Sequence, residues 1–208
     1  MRTPVAISRR DFLALVPGAG VAVVVGYHTS GGRARAQGAD RLGLQAQLEA
    51  FISVETDGSV RVLIPKSEIG QGTHTGLAMV ACEELDADWS NVVPVQPGFD
   101  RRLGPQNTGG SDAVRTCYEL LRHAGATTRA MLVTAAAQRW GVEPDTCRTE
   151  PGVVVHPPSG RREAYGNVAA AAARLPVPSG VPLKNPATFR LIGTPQPRTD
   201  VPLRIDGS

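Results

Sequence analysis

Aromatic residues are scarce in this 208-residue chain, at 4% of the sequence. A core with so few rings must be built from valine, leucine, isoleucine and alanine. The chain also lacks the aromatic stacking platforms of proteins that bind single-stranded nucleic acid. The formal net charge is only +3. Because so small a charge does not attract a polyanion, these two absences argue against a nucleic-acid partner.

Cysteine is nearly absent as well. The three cysteines, Cys82, Cys117 and Cys147, lie far apart and form no C-x-x-C pair. This spacing excludes a disulfide framework and an iron–sulfur or zinc site built by this chain alone. Cys82 and Cys117 fall at apolar positions of predicted helices, so we expect them to be small buried side chains.

No apolar run is long enough to cross a bilayer, which takes about 20 residues. The candidate run, residues 14–27, is shorter and is interrupted by Pro17 and Gly18. It follows a pair of arginines, Arg9 and Arg10, in the order typical of an export signal. The sequence therefore predicts no stable membrane span.

A small-x-small site, "ARA", ends at Ala36. We predict that residues 1–36 form a twin-arginine signal peptide, cleaved after Ala36, and that the chain is periplasmic. An uncleaved anchor is the alternative. The twin-arginine route carries folded proteins, which would suit a protein whose cofactor is installed in the cytoplasm.

The mature sequence predicts an α+β fold. "FISVETDGSVRVLIP" alternates apolar and polar residues around Asp57-Gly58, which is typical of a β-hairpin. Apolar residues then recur at helical spacing from Thr73 to Asp86. The segment "NVVPVQ" predicts a short strand, and its proline, Pro94, requires an edge position.

A second main helix is predicted from Ser111 to Trp140, with Gly141 ending it. Two short strands flank Ser159-Gly160, and an alanine-rich helix follows at about residues 167–174. The Pro-rich remainder is typical of an extended connector. Two charged residues of the first helix, Glu83 and Glu84, are expected on its solvated surface.

Two glycine-rich loops open the two main helices. Gly70-Gln71-Gly72 precedes the first helix, and Gly109-Gly110-Ser111 precedes the second. Glycines let a ligand approach the backbone, and free N–H groups at a helix start favour a phosphate. Hydroxyls of Thr73, Thr75 and Ser111 and the amide of Gln71 could add hydrogen bonds. Plain turns with capped helices are the alternative.

Several segments resemble a known family. They are "FISVETDGSVRVLIPKSEIGQGTHTGLAMVACEELDADW", "QNTGGSDAVRTCYELLRHAGATTRAML", "SGRREAYGNVAAAAARLPVP" and "FRLIGTPQPRTDVPLRIDGS". Together they resemble the N-terminal part of the large, molybdopterin-binding subunit of the isoquinoline 1-oxidoreductase type, in the xanthine dehydrogenase/aldehyde oxidase family. The resemblance implies a partial molybdopterin-binding domain with a Pro-rich C-terminal extension.

The resemblance also implies a cofactor, molybdopterin cytosine dinucleotide carrying molybdenum. Its expected contacts match the family motifs in this sequence: Gly70, Gln71, Gly72, His74, Thr75, Gly109, Gly110 and Ser111. Gln71 is expected near the oxo group of the metal or the pterin. A solvated first-turn residue is the alternative for His74. The resemblance places no catalytic residue and no metal ligand in this chain.

Large subunits of that family run several hundred residues further, and their glutamate base has no counterpart here. We therefore expect residues 37–175 to be a partial cofactor-binding domain and residues 176–208 a linker towards a next domain. The implied partners are the rest of the large subunit, a [2Fe-2S] small subunit and, as a further candidate, cytochrome c. The implied activity is oxidation of an N-heteroaromatic or aldehyde substrate, which this fragment alone is not expected to catalyse. The alternative function is a non-catalytic exported ligand- or partner-binding module, or an inactive remnant.

Overall fold

The computed structural model describes residues 23–25, 51–100 and 103–205. The strands are β1 (Val23–Val25), β2 (Ile52–Val54), β3 (Val60–Leu63), β4 (Val92–Val95), β5 (Arg148–Glu150), β6 (Val153–His156) and β7 (Arg161–Ala164). The helices are α1 (Thr73–Leu85), α2 (Ala113–Trp140), α3 (Tyr165–Ala172) and α4 (Pro202–Ile205). The predicted α+β class, with two main helices beside a hairpin and short strands, is confirmed.

The strands form two sheets. In the first, the order is β1-β2-β3-β4, with β2 and β3 forming the predicted antiparallel hairpin. β4 runs parallel to β3 and pairs Leu63 with Val95. Helix α1 connects these two parallel strands, as a crossover between parallel strands requires. Pro94 lies on the edge strand β4, as predicted.

The second sheet is antiparallel in the order β5-β6-β7. The strands β6 and β7 on either side of Ser159-Gly160 confirm the predicted pair. Strand β5 was not predicted, because "RTE" has no apolar alternation. Helix α3 begins at Tyr165, two residues before the predicted start.

The main core lies between the first sheet, the two long helices and α3. It is lined by aliphatic and small side chains, including the fully buried Val54, Val62, Ile64, Leu77, Ala78, Ala81, Leu85, Leu121, Ala124 and Leu132. Cys82 and Cys117 are buried, as predicted. Helices α1 and α2 approach so closely that a Cβ built on Gly125 would lie 2.2 Å from the carbonyl oxygen of Ala81. Small residues therefore set the distance between the two helices.

The prediction that Glu83 and Glu84 are solvated is wrong. Glu83 is 2% exposed and Glu84 is 0% exposed. Backbone N–H groups and basic side chains from distant parts of the chain surround both carboxylates, including the N–H of Lys184 on Glu84. Burial of a charge is tolerated where such partners replace water.

Most of the predicted signal peptide lies outside the described residues. The exception is β1, which pairs antiparallel with β2 and falls within the apolar run. Cleavage after Ala36 would remove β1 and leave β2 at the edge of the first sheet. Within the part of the chain that the structure describes, no helix has the length and apolar character needed to cross a membrane.

Two helical glycines give a matched test of the packing between α1 and α2. Gly125→Ala must displace the backbone of α1, so we expect a loss of about 1–3 kcal/mol in the free energy of unfolding. Gly76→Ala in α1 meets no atom within 4 Å, so it should raise stability by roughly 0.5–1 kcal/mol. Urea titration of both variants measures the difference. Equal effects of the two changes would contradict the close helix contact.

Candidate functional site

The two glycine-rich loops leave the same edge of the first sheet. The first glycine loop (residues 66–72) joins β3 to α1, and the second glycine loop (residues 106–112) leads into α2 after β4. Because β3 and β4 are parallel, their carboxyl ends meet at one edge. The sheet topology therefore places both loops at one edge of the first sheet.

Hydrogen bonds join the two loops directly. The carbonyl oxygen of Ser67 accepts from Gln71 Nε2 at 2.9 Å and from Thr108 Oγ1 at 2.5 Å. The backbone N–H and the hydroxyl of Ser67 both donate to the carbonyl oxygen of Gln106, each at 2.9 Å. Gln71 Nε2 also lies 3.4 Å from Thr108 Oγ1. The loops therefore form one hydrogen-bonded unit.

The start of α1 differs from the prediction. The carboxylate of Glu68 accepts hydrogen bonds from the N–H groups of Gly70, Gly72 and His74 at 2.8, 2.9 and 3.0 Å. A carboxylate at a helix start is favoured by the helix dipole. The N–H groups of Gly72 and His74 are therefore not free for a phosphate, because a side chain of the protein already fills that place.

Glu68 is held in its charged form. Burial raises the pKa of this carboxyl, but the three backbone N–H groups and the positive charge of Arg198 outweigh it and bring the pKa below its usual range. The Arg198 guanidinium lies 3.4 Å from Glu68 Oε1, and the Glu68 side chain is 2% exposed.

The start of α2 carries no such cap. Asp112, its N-cap residue, makes no side-chain capping hydrogen bond. Among the described residues, no acceptor contacts the N–H groups of residues 113–115. Gly110 and Ser111 have φ of 60° and 54°. A positive φ is uncommon for serine and often marks a functional loop.

A buried lysine lies beside the second glycine loop. Lys66 is 5% exposed, and its Nζ is 3.5 Å from Asp112 Oδ1. Asp112 Oδ1 is itself buried without a hydrogen bond. The ion pair therefore links the residue that opens the first loop to the residue that closes the second.

The remaining predicted residues lie around the start of α1. His74 Nε2 is 2.6 Å from Gln96 Oε1, which follows β4. Thr75 is buried, and its hydroxyl oxygen accepts from the N–H of Thr199 at 3.0 Å. Gln71 Oε1 accepts from the N–H of Ile69 at 2.7 Å, so the Gln71 side chain folds back over its own loop.

Sequence reasoning missed five residues of this region: Lys66, Ser67, Glu68, Thr108 and Arg198. The first three precede Gly70-Gln71-Gly72 in "KSEIGQG", separated from it by Ile69 alone. A carboxylate two residues before a glycine-rich helix start is a signal for an internal cap. Arg198 gave no such signal, since it is 130 positions from Glu68.

The site offers hydrogen-bond donors, one ammonium group and open space above the glycines. A Cβ on Gly70, Gly72 or Gly110 would meet no atom within 4 Å. Within the described ranges, no three histidine, cysteine, aspartate or glutamate residues are arranged to hold a metal ion. These residues are suited to bind an anion and a group that forms a hydrogen bond with a side-chain amide.

The sequence profile of the molybdopterin cofactor-binding domain matches residues 9–202 of the chain. The chain belongs to this family. Its α+β fold, with two main helices, is thus that of a molybdopterin cofactor-binding domain, as the resemblance implied.

Three relatives show where such domains occur. The chain is 33% identical to the beta subunit of isoquinoline 1-oxidoreductase from Brevundimonas diminuta, over 76% of this chain and 25% of that protein. It is 32% identical to a membrane-bound aldehyde dehydrogenase (pyrroloquinoline-quinone) of Gluconacetobacter polyoxogenes, over 100% of this chain and 27% of that protein. It is 30% identical to a subunit of nicotinate dehydrogenase from Pseudomonas putida, over 90% of this chain and 16% of that protein. The chain spans about a quarter or less of the relatives it matches.

Glu68 gives a pH-dependent prediction. Its pKa in the folded protein lies below the ordinary 4.5. The carboxylate therefore adds stability above about pH 4.5, and this contribution is lost as the pH falls through the folded-state pKa. We expect Glu68→Gln to lower the melting temperature at pH 7, with the gap to wild type closing towards pH 3.

The control is Glu119→Gln on the exposed surface of α2, which should change little at either pH. A melting-temperature gap for Glu68→Gln that stays constant from pH 7 to pH 3 would contradict the charged cap.

Proposed function

We propose that this domain supplies part of the binding site for molybdopterin cytosine dinucleotide in the large subunit of a molybdenum hydroxylase. The substrate class is an N-heteroaromatic compound or an aldehyde. The main support for this proposal is that Ser67 joins the two glycine loops by hydrogen bonds at one edge of the sheet. A pair of unrelated capped turns would not need this link.

The residues present fit such a group. The uncapped start of α2, the hydroxyl of Ser111 and the ammonium of Lys66 suit the phosphates. The Oε1 atom of Gln71 suits the pterin, because an amide oxygen that accepts from the N–H of Ile69 keeps a second lone pair for a donor of the cofactor. Gly70, Gly72 and Gly110 leave room for the cofactor to approach. The proposed set also includes Gly109, His74 and Thr75.

The bound molybdenum centre would supply the redox chemistry. The residues of this chain would bind and orient the cofactor, with Nε2 of Gln71 held by Ser67, Thr73 and Thr108. The proposal includes three partners: the rest of the large subunit, a [2Fe-2S] small subunit and cytochrome c.

Two glycines with similar positive φ, 60° at Gly110 and 69° at Gly160, test the cofactor contact. Gly110→Ala and Gly160→Ala both place a side chain at positive φ, with no atom within 4 Å of the new Cβ. Each should cost roughly 1 kcal/mol of stability. Only Gly110→Ala should also reduce the molybdenum and cytosine nucleotide content of the complete protein, because Gly160 lies in the turn between β6 and β7.

Gln71→Ala should behave differently, with metal content preserved better than turnover. Full cofactor occupancy in Gly110→Ala would reduce the second glycine loop to an ordinary turn. That result would favour the alternative function, a non-catalytic ligand- or partner-binding module.

The same proposal includes export of the chain to the periplasm by a twin-arginine signal. Replacing Arg9 and Arg10 by lysine should leave the precursor in the cytoplasm, since the export route reads the arginine pair. Cell fractionation and mass spectrometry measure this, and the wild-type periplasmic form should begin at Gln37. Periplasmic accumulation of the double variant would overturn the proposed route.

A further inference from the structure

One segment near the C-terminus contacts both ends of α1. We call residues 184–200 the strap. Near the carboxyl end of α1, the carboxylate of Glu83 accepts from the N–H groups of Arg190, Leu191 and Ile192 at 3.1, 2.6 and 3.0 Å. Near the start of α1, the N–H of Thr199 donates to Thr75. The strap therefore runs antiparallel to the helix, along about 12 Å of its length.

The far end of the strap reaches the first glycine loop. Arg198 Nη1 donates to the carbonyl oxygen of Gly70 at 2.5 Å, and Arg198 Nη2 lies 3.4 Å from Glu68 Oε1. The guanidinium is oriented by Asp200, which accepts from its Nε and Nη2 at 3.0 and 2.7 Å. A planar guanidinium suits this role because its donors form a rigid fork.

We infer that Arg198 is a positioning residue for the first glycine loop, and that docking of the strap gives this loop its cofactor-binding shape. The inference rests on the proposed function for the role of the loop in cofactor binding. Arg198 acts through Glu68, which organises the N–H groups of Gly70, Gly72 and His74.

The buried negative charge of Glu68 is offset by the contact with Arg198. Glu68 has a nearly inaccessible side chain, and Arg198 is the one basic side chain that contacts it among the described residues. Without Arg198, three backbone N–H groups still hold the carboxylate, but its charge has no basic partner. A buried charge without a counterion is costly, so the loop should open more often or move towards water. Gln71 would then lose its fixed position.

The experiment is amide hydrogen exchange by NMR on the full chain. Arg198→Ala should raise the exchange rates of Gly70, Gly72 and His74 by about tenfold, the factor expected when a charged contact worth about 1.4 kcal/mol is lost. The side-chain amide resonances of Gln71 should shift. Arg198→Lys keeps the charge but loses the fork, and it should restore part of the protection.

The matched control is Arg190→Ala in the same strap. It removes a contact with Asp86 near the other end of α1 and leaves the backbone hydrogen bonds to Glu83. It should lower the melting temperature without raising exchange in the first glycine loop. If Arg198→Ala leaves loop exchange unchanged, or Arg190→Ala raises it equally, the positioning role is overturned.

A second readout separates this inference from the proposed function. In the complete protein, Arg198→Ala should reduce molybdopterin content, and Arg190→Ala should not. Raised loop exchange with full cofactor content would support the contact between strap and loop but overturn the role of that loop in binding the cofactor.

Discussion

Three carboxylates at the carboxyl end of α1 are the constraint on which the rest of the structure depends. Glu83, Glu84 and Asp86 lie where the helix dipole disfavours negative charge, and all three are at most 6% exposed. Each must therefore find positive groups or N–H donors within the protein. Burial raises the pKa of Asp86, but hydrogen bonds and charges from Lys184, Thr149 and Arg190 outweigh it and lower the pKa.

The partners of these carboxylates come from separate parts of the chain, and this fixes the tertiary arrangement. Arg122 of α2 donates to Glu84 at 2.9 Å, and Lys184 of the strap lies 2.6 Å from Asp86. The hydroxyl of Thr149 in β5 donates to Asp86 at 2.5 Å. One end of one helix thus joins the second helix, the second sheet and the C-terminal segment. The close contact at Gly125 completes this arrangement, because it brings α2 near enough for Arg122 to reach.

The local elements could be predicted from the sequence, whereas the polar contacts between them could not. Helix α1 was predicted to within a residue or so, since apolar spacing and Gly72 mark its bounds. The sequence predicts a solvated position for Glu83 and Glu84, because a charged residue type reveals no partner about 100 positions away. The same holds for Arg198, whose contacts with Glu68 and Gly70 depend on the path of an irregular segment. Glu68 could have been found, because it is local to the loop that it caps.

From the sequence alone, the two glycine loops are equally suited to bind a phosphate. The side chains around them in the structure make the second loop the better candidate. At the start of α1, Glu68 already supplies a negative charge, so a phosphate there would face both repulsion and occupied donors. At the start of α2, the ammonium of the buried Lys66 lies 3.5 Å from the N-cap residue Asp112 and offsets its charge, and the first N–H groups have no side-chain cap. Under the proposed function, the phosphates are therefore assigned to the second glycine loop, and the first offers the amide oxygen of Gln71. A glycine-rich helix start permits an anion, and the charge of the adjacent side chain decides whether that anion is a ligand or part of the protein.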